Sequence, residues 1–300
     1  MSQSPLTLLG ILFKKCTGIK DISIMQKKIH KQVGQLLYHQ KYTTEDVVQS
    51  MQELGMKKGS VVCIHAAMRE FYNFEGTAEE LIRKIQEVIT DEGTLIMPAF
   101  PDQAVARKES YVFNALTAPT KAGHLAEVFR QSKNVVRSIN VQHSACAWGK
   151  YAEWLTKDHQ NCINCWDEQS PWFRMTRLNA LVFSLGLPNY YIGTFVHCVE
   201  AVLYQTHPYW AQFFTENKTY RYVDHTGQVQ KYSCIEGNLE RRTKESKIIK
   251  YFHHNEYRKQ RLSNLQIKVF ESEPCLDKMI ALGKRGITIY YVPSPQKYTF

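Results

Sequence analysis

The segment Gly193-Thr-Phe-Val-His197-Cys-Val-Glu200 holds the residue types needed to move a proton. The run from Phe195 to Tyr204 reads as a helix behind a Thr194 cap, so His197 falls in its first turn and Glu200 lies three residues on, on the same face. A helix N-terminus disfavours imidazolium and keeps a histidine able to accept a proton, while a carboxylate pushes the other way and fixes the ring. That suits a general base acting on an amine or hydroxyl. The same pair would equally serve to hold the helix. Cys198 fails as a nucleophile paired with His197, because neighbours on a helix point about 100° apart.

A second concentration of polar and aromatic groups runs from Arg137 to Gly149, directly after a predicted strand, and includes Ser138, His143, Ser144 and Trp148. Loops that leave strand ends are where α/β proteins place their sites. Arg137 is a candidate phosphate contact and Ser144 a candidate donor; a loop that only packs Trp148 on the core explains the residues equally well. Phe71–Gly76, after a strand ending in His65, is another such loop. His159-x-x-Cys162-x-x-Cys165 has metal-like spacing, but structural zinc takes four ligands and no second cysteine pair follows. An ordinary surface loop is expected there, and no metal.

The elements that must position these groups alternate. Thr44–Leu54 reads as a helix stopped by Gly55, and Val61–Ile64 as a buried strand. Thr77-Ala-Glu-Glu80 is a capping box that opens a helix to about Ile89, and Thr94–Met97 is the next buried strand. Strand, helix, strand with short loops is a βαβ unit and favours parallel pairing. Further helices are expected at Gly123–Gln131 and through about 238–260. Strands are expected at Val135–Val136, Ala180–Leu187 and Ile287–Val292, and a hairpin over Tyr220–Ile235 turning at Asp224–Gly227. The reading is α/β: a single domain with a central mixed, partly parallel sheet flanked by helices, spanning 42–300 behind a basic N-terminal extension, 1–41.

The 300 residues are 44% hydrophobic and 12% aromatic, which excludes a disordered chain. No stretch approaches the ~20 apolar residues of a membrane span. Lys14 and Lys15 follow the apolar run Pro5–Phe13 rather than precede it, which argues against an export signal. Eight cysteines are too dilute for a disulfide scaffold, so a soluble, cytoplasmic protein with reduced thiols is expected. Of the net charge of +10, residues 1–41 carry +6, seven lysines against Asp21. That segment, with Leu8, Leu9, Ile11, Leu12 and Phe13, would suit peripheral contact with an anionic membrane or would simply be solvated. The basic run Arg241, Arg242, Lys244, Lys247, Lys250, Arg258, Lys259 and Arg261 leaves nucleic-acid binding open on charge alone.

The order and spacing of several pieces resemble the aminoglycoside 3-N-acetyltransferase family over about residues 43–215. The pieces are Val62–His65, Glu75-Gly76, Gly93–Pro98, Phe113-Asn with Pro119, and Gly123–Arg130. Arg137-Ser138, His143-Ser144 with Gly149, Gln169–Pro171 and Thr194–Glu200 complete the series. The resemblance implies an acetyl-CoA-dependent N-acyltransferase of a fold unrelated to the GNAT acetyltransferases. It makes His197 the base and Glu200 its support, and places His65, Arg137, Ser138 and Ser144 toward acyl-CoA. His143, Asp167, Glu168 and Thr194 then fall toward a small-molecule amine acceptor, and no nucleic-acid partner is expected. Two positions depart from the family: Ala66-Ala67 stand where it has two serines, and Asn140-Val-Gln142 where it has His-Pro-x. Because the chain is basic, the expected acceptor is an amino sugar linked to a nucleotide, in surface-polysaccharide biosynthesis. Acetylation of aminoglycoside drugs, and hence antibiotic resistance, is the alternative.

Overall fold

Alternating burial along the first strand shows how the chain is layered. In β1 (Val61–Ala66), Val61 and Cys63 face one apolar core and Val62 and Ile64 the other, so both faces of the sheet are covered. The computed structural model describes residues 32–34, 36–211, 214–236 and 245–289. Its other strands are β2 (Thr94–Pro98), β3 (Val112–Phe113), β4 (Val136–Arg137), β5 (Ala145–Gly149) and β6 (Leu181–Leu185). They continue with β7 (Glu216–Val223), β8 (Val229–Glu236), β9 (Arg258–Leu262) and β10 (Leu265–Glu271).

Seven strands form the main sheet in the order β4-β5-β2-β1-β6-β10-β9. β2, β1 and β6 are parallel, and every pairing outside them is antiparallel, which is the mixed, partly parallel sheet that the sequence predicts. Helices Thr44–Glu53, Ala78–Ile89 and His124–Gln131 supply one core; Pro171–Arg177, Cys198–Thr206 and Ser272–Lys284 supply the other. The capping box at Thr77 is formed: Glu80 N–H donates to Thr77 Oγ1 (3.1 Å), and Thr77 N–H donates to Glu80 Oε2 (3.0 Å). A smaller sheet, β3-β7-β8, packs around Phe113, Val141, Tyr220, Tyr232 and Cys234. The expected hairpin is β7–β8, its turn closed by Asp224 Oδ1 accepting from the N–H groups of Thr226 and Gln228.

Three expectations are corrected. The helix through 238–260 is, within the described residues, one turn at Ser246–Ile249 followed by the strand β9. The Arg137–Gly149 loop is shorter, because Ala145–Gly149 pairs with β2 as a strand. Ile287–Ile289 forms no strand, and 290–292 lie outside the described residues, as do Arg241, Arg242, Lys244 and most of the 1–41 segment. Described residues of that segment are packed on the body: Asn73 Nδ2 donates to Tyr38 O (2.6 Å) and Ser263 Oγ to Gln40 O (2.6 Å). No helix among the described residues is long and apolar enough to cross a membrane.

Candidate active site

The turn from β6 into the helix Cys198–Thr206 sets the His–Glu pair. Gly193 (φ +147°) starts a 3₁₀ turn, Thr194–His197, which leads into the α-helix at Cys198. Thr194 therefore does not cap through its side chain, and His197 stands at the α-helix boundary rather than within its first turn. The pairing survives: His197 Nδ1 lies 3.3 Å from Glu200 Oε2. The histidine side chain keeps 25% of its exposure, whereas Glu200 is buried.

Both residues line a cleft of about 610 Å³. Thr194 and Tyr191 come from the same turn, Gln142 and His143 from the loop after β4, and Asn164, Cys165 and Trp166 from the 159–170 loop. Phe214, Ile235 and Glu236 of β8, Gln103, Arg107 and Glu245 also line the cleft. The Trp166 ring meets both histidines, 4.2 Å from His143 and 4.8 Å from His197 between centroids.

His65 does not line the cleft. Burial lowers its pKa to about 3, so the ring is neutral. Its Nε2 accepts from Thr194 N–H (3.4 Å) and its Nδ1 meets Tyr191 OH (3.1 Å), so β1 anchors the turn that carries His197. Arg137, Ser138 and Ser144, expected toward acyl-CoA, likewise make internal hydrogen bonds. Arg137 donates to the carbonyls of Ala99 and Ala118 and, through Nε, to Ser144 Oγ (3.3 Å). Burial lowers its pKa to about 10. Ser144 Oγ donates to Ala99 O (2.9 Å).

Ser138 belongs to a buried chain with His159. His159 Nε2 is 3.0 Å from Cys165 O, and a carbonyl can only accept, so Nε2 carries the proton. Nδ1 then accepts from Ser138 Oγ (2.9 Å), which itself accepts from Ala145 N–H (3.0 Å). Both ring nitrogens are spent, and no metal-holding group of His, Cys, Asp and Glu occurs among the described residues. His159 is thus a strut that ties the Cys165–Trp166 loop to the main sheet.

Of the expected acceptor contacts, His143 and Thr194 are in the cleft. Asp167 and Glu168 are not among its lining: Asp167 accepts from the N–H groups of Ile163 (2.8 Å), Asn164 (3.2 Å) and Gln169 (3.0 Å), and Glu168 pairs with Arg177 (2.6 Å). The departure at Asn140 makes its own turn, Oδ1 accepting from Gln142 N–H (3.1 Å) and His143 N–H (2.8 Å).

The carboxylates that do reach the cleft beside Glu200 are Glu236 and Glu245, in the part of the sequence without recognisable motifs. Tyr220 OH donates to Glu236, whose other neighbour is Lys218 (3.2 Å). Glu245 accepts from Ile192 N–H (2.8 Å), and burial holds its carboxyl above the usual range. No motif marks Trp166 as a site residue either; the sequence signals only its loop, through the spacing of His159, Cys162 and Cys165.

In sequence the chain is 26% identical over 163 residues to the SPbeta prophage-derived aminoglycoside N(3')-acetyltransferase-like protein YokD of Bacillus subtilis (strain 168), covering 48% of this chain and 60% of that protein. It is 27% identical over 176 residues to an aminoglycoside N(3)-acetyltransferase III of Salmonella sp, covering 54% and 61%. The chain thus matches about 60% of the length of these curated relatives. Among solved structures, aminoglycoside acetyltransferase AAC(3)-Xa shares the fold with a TM-score of 0.71 at 18% identity, over 87% of this chain and 99% of that one. AAC-IIIb in a binary complex with CoASH does so with a TM-score of 0.66 at 17% identity, over 85% and 100%. The aminoglycoside 3-N-acetyltransferase family description matches residues 63–283, most of the chain. The series of motifs from Val62 to Glu200, the mixed sheet and the His197–Glu200 pair therefore have one origin: the chain belongs to the aminoglycoside 3-N-acetyltransferase family.

Proposed function

We propose that the protein is an acetyl-CoA-dependent N-acetyltransferase acting on a primary amine of a cationic amino sugar. The observation that carries this reading is the partly exposed His197, held by buried Glu200 inside a cleft to which Glu236 and Glu245 also contribute carboxylates. An amine arrives as ammonium, and carboxylates attract it and orient it. His197 takes one of its protons on Nε2, with Nδ1 turned toward Glu200. The freed amine attacks the thioester carbonyl carbon, the C–N bond forms, the C–S bond breaks, and the second proton leaves the nitrogen for solvent. The departing CoA thiolate takes its proton from the imidazolium. Ser144 is spent on Ala99 O, so Thr194, which lines the cleft, is the residue proposed to steady the carbonyl oxygen.

Acetyl-CoA is a co-substrate here, as the CoASH complex of AAC-IIIb supports for the family fold. The acid-lined cleft by itself supports the aminoglycoside alternative; a nucleotide-linked sugar, whose expectation rests on the charge of the whole chain, needs a basic subsite outside it. The test follows CoA release from acetyl-CoA with aminoglycosides bearing a free 3-amine and with simpler amino sugars. His197→Ala should lower turnover by about 100- to 10,000-fold while calorimetric CoA affinity persists. Normal turnover in a folded His197→Ala protein removes the base assignment. Acetylated protein trapped without acceptor would replace direct transfer with a covalent route. Salt-dependent binding of duplex DNA with no binding of CoA would replace the enzyme reading altogether.

A further inference from the structure

Beside the cleft lies a second cavity of about 540 Å³, lined by the 106–111 segment, by β7 and by Lys231 of β8. Arg107, Lys108, Lys218, Arg221 and Lys231 line it, against one acid, Glu109. Lys218 is shared between Glu216 (3.1 Å) and Glu236 (3.2 Å). The other four cations have no acidic partner among the described residues. Arg221 and Lys231 stand directly opposite each other in the β7–β8 ladder, and like charges at such a pair repel. A bound anion would relieve that repulsion. β3 pairs with β7 only at Arg221 and Tyr222, so along the segment ahead of them β7 has β8 on one side and no strand on the other among the described residues.

The basic groove and the acidic cleft share a wall. Arg107 lines both. Tyr220 lines the groove, while its hydroxyl donates to Glu236 and accepts from Gln142 Nε2, both of them cleft residues. One molecule that reaches across Arg107 with an ammonium at one end and a phosphate at the other would meet complementary charge at both ends. A purely cationic acceptor would meet repulsion there.

We infer that the groove is a phosphate-binding subsite for the acceptor, so that the amine substrate carries a phosphate or nucleoside diphosphate beyond its amino sugar. This rests on the reading that the amine enters the cleft at His197. It gives the nucleotide-linked acceptor a location that net charge alone could not, and it makes aminoglycosides acceptors that use the cleft without the groove.

The test compares a nucleoside-diphosphate-linked amino sugar with the corresponding free amino sugar, in the wild type and in the double variant Arg221→Gln/Lys231→Gln. The wild type should favour the phosphate-bearing acceptor in kcat/KM, and the variant should lower that preference by about 10- to 100-fold through KM. UDP and inorganic pyrophosphate should bind by calorimetry and be displaced by the acceptor. Two controls separate charge from misfolding: a melting curve of the variant, and a second double variant, Arg221→Lys/Lys231→Arg, which keeps both charges and should keep the preference. Turnover of free amino sugars with no preference and no UDP binding overturns the subsite and leaves the N-acetyltransferase reading intact. Displacement of UDP by CoA but not by acceptor overturns the assignment to the acceptor. If no amine of any kind is acetylated, it is the proposed function that fails, and the loss of UDP binding in the variant still decides the groove.

Discussion

His65, His159 and His197 have the same side chain and three different surroundings. His197 keeps part of its surface in a cleft; His65 and His159 are enclosed, with burial lowering their pKa to about 3 and about 4 from 6.5. In the unfolded chain both enclosed rings take up a proton below pH 6.5, and in the folded protein they do not until far lower. The unfolded state therefore binds more protons as pH falls, so the stability present above pH 6.5 declines from there toward the folded values. At pH 5 the loss is about 2 kcal/mol for each ring, on the order of 4 kcal/mol together. Urea unfolding at pH 7.5 and pH 5 should show it as a lower midpoint in acid, and His65→Asn should shrink the difference. A midpoint independent of pH over this range would refute the neutral, enclosed state of both rings. The His197–Glu200 contact was legible in the sequence because it is local, three residues apart on one turn. His159 stands out in the sequence for its spacing to Cys162 and Cys165, but its partners Ser138 and Cys165 O come together only through the fold.

Gly193 links β6 to the turn that carries His197. A Cβ there would stand 3.0 Å from Val182 Cγ1 and 3.1 Å from Phe195 Cδ1, and the residue has φ +147°, so any side chain is strained twice over. Gly193→Ala should destabilise the fold by about 1–3 kcal/mol and lower kcat at least about tenfold, because the ring it displaces is the proposed base. Unchanged melting and unchanged kcat would show that the turn tolerates other geometries. The elements around this turn were readable to different degrees, for physical reasons. β1, β2 and β6 are buried on both faces and stand out as short apolar runs, and the Thr77 box is a purely local device. β9 is an edge strand of Arg258-Lys-Gln-Arg-Leu262, so its polar pattern imitates an exposed helix. The usable signal was Ser263-Asn264 between Leu262 and Leu265, a two-residue loop with Ser263 at φ +51°, which closes a hairpin onto the core strand β10. Glu236 and Glu245 reach the cleft from β8 and from the residue before the helix Ser246–Ile249, elements without a motif, which is why no reading of spacing could find them.

Net charge misdirects when it is summed over the whole chain. More than half of the +10 belongs to residues 1–41, while the cleft gathers three glutamates and the groove beside it five cations. Function follows the local fields, because opposite surfaces cancel in the total and act on different parts of one ligand. A basic N-terminal extension is expected over residues 1–41, and the last of its described residues rest on the domain. Arg261 Nη1 donates to Tyr38 OH (2.8 Å), Asn73 Nδ2 to Tyr38 O (2.6 Å), Ser263 Oγ to Gln40 O (2.6 Å), and Lys41 pairs with Glu75 (2.6 Å). These contacts clip the Phe71–Gly76 loop to the β9–β10 hairpin through the chain that precedes Tyr42. A protein lacking residues 1–31 should keep its melting temperature and turnover, since the described contacts remain. One lacking residues 1–41 should lose about 2–3 kcal/mol of stability, roughly 1 kcal/mol for each of the three hydrogen bonds, with the exposed ion pair adding little. Equal stability of the two truncations would show that Tyr38 and Gln40 rest on the domain without holding it. Loss of turnover in the shorter truncation alone would assign the basic leading segment a part in the reaction.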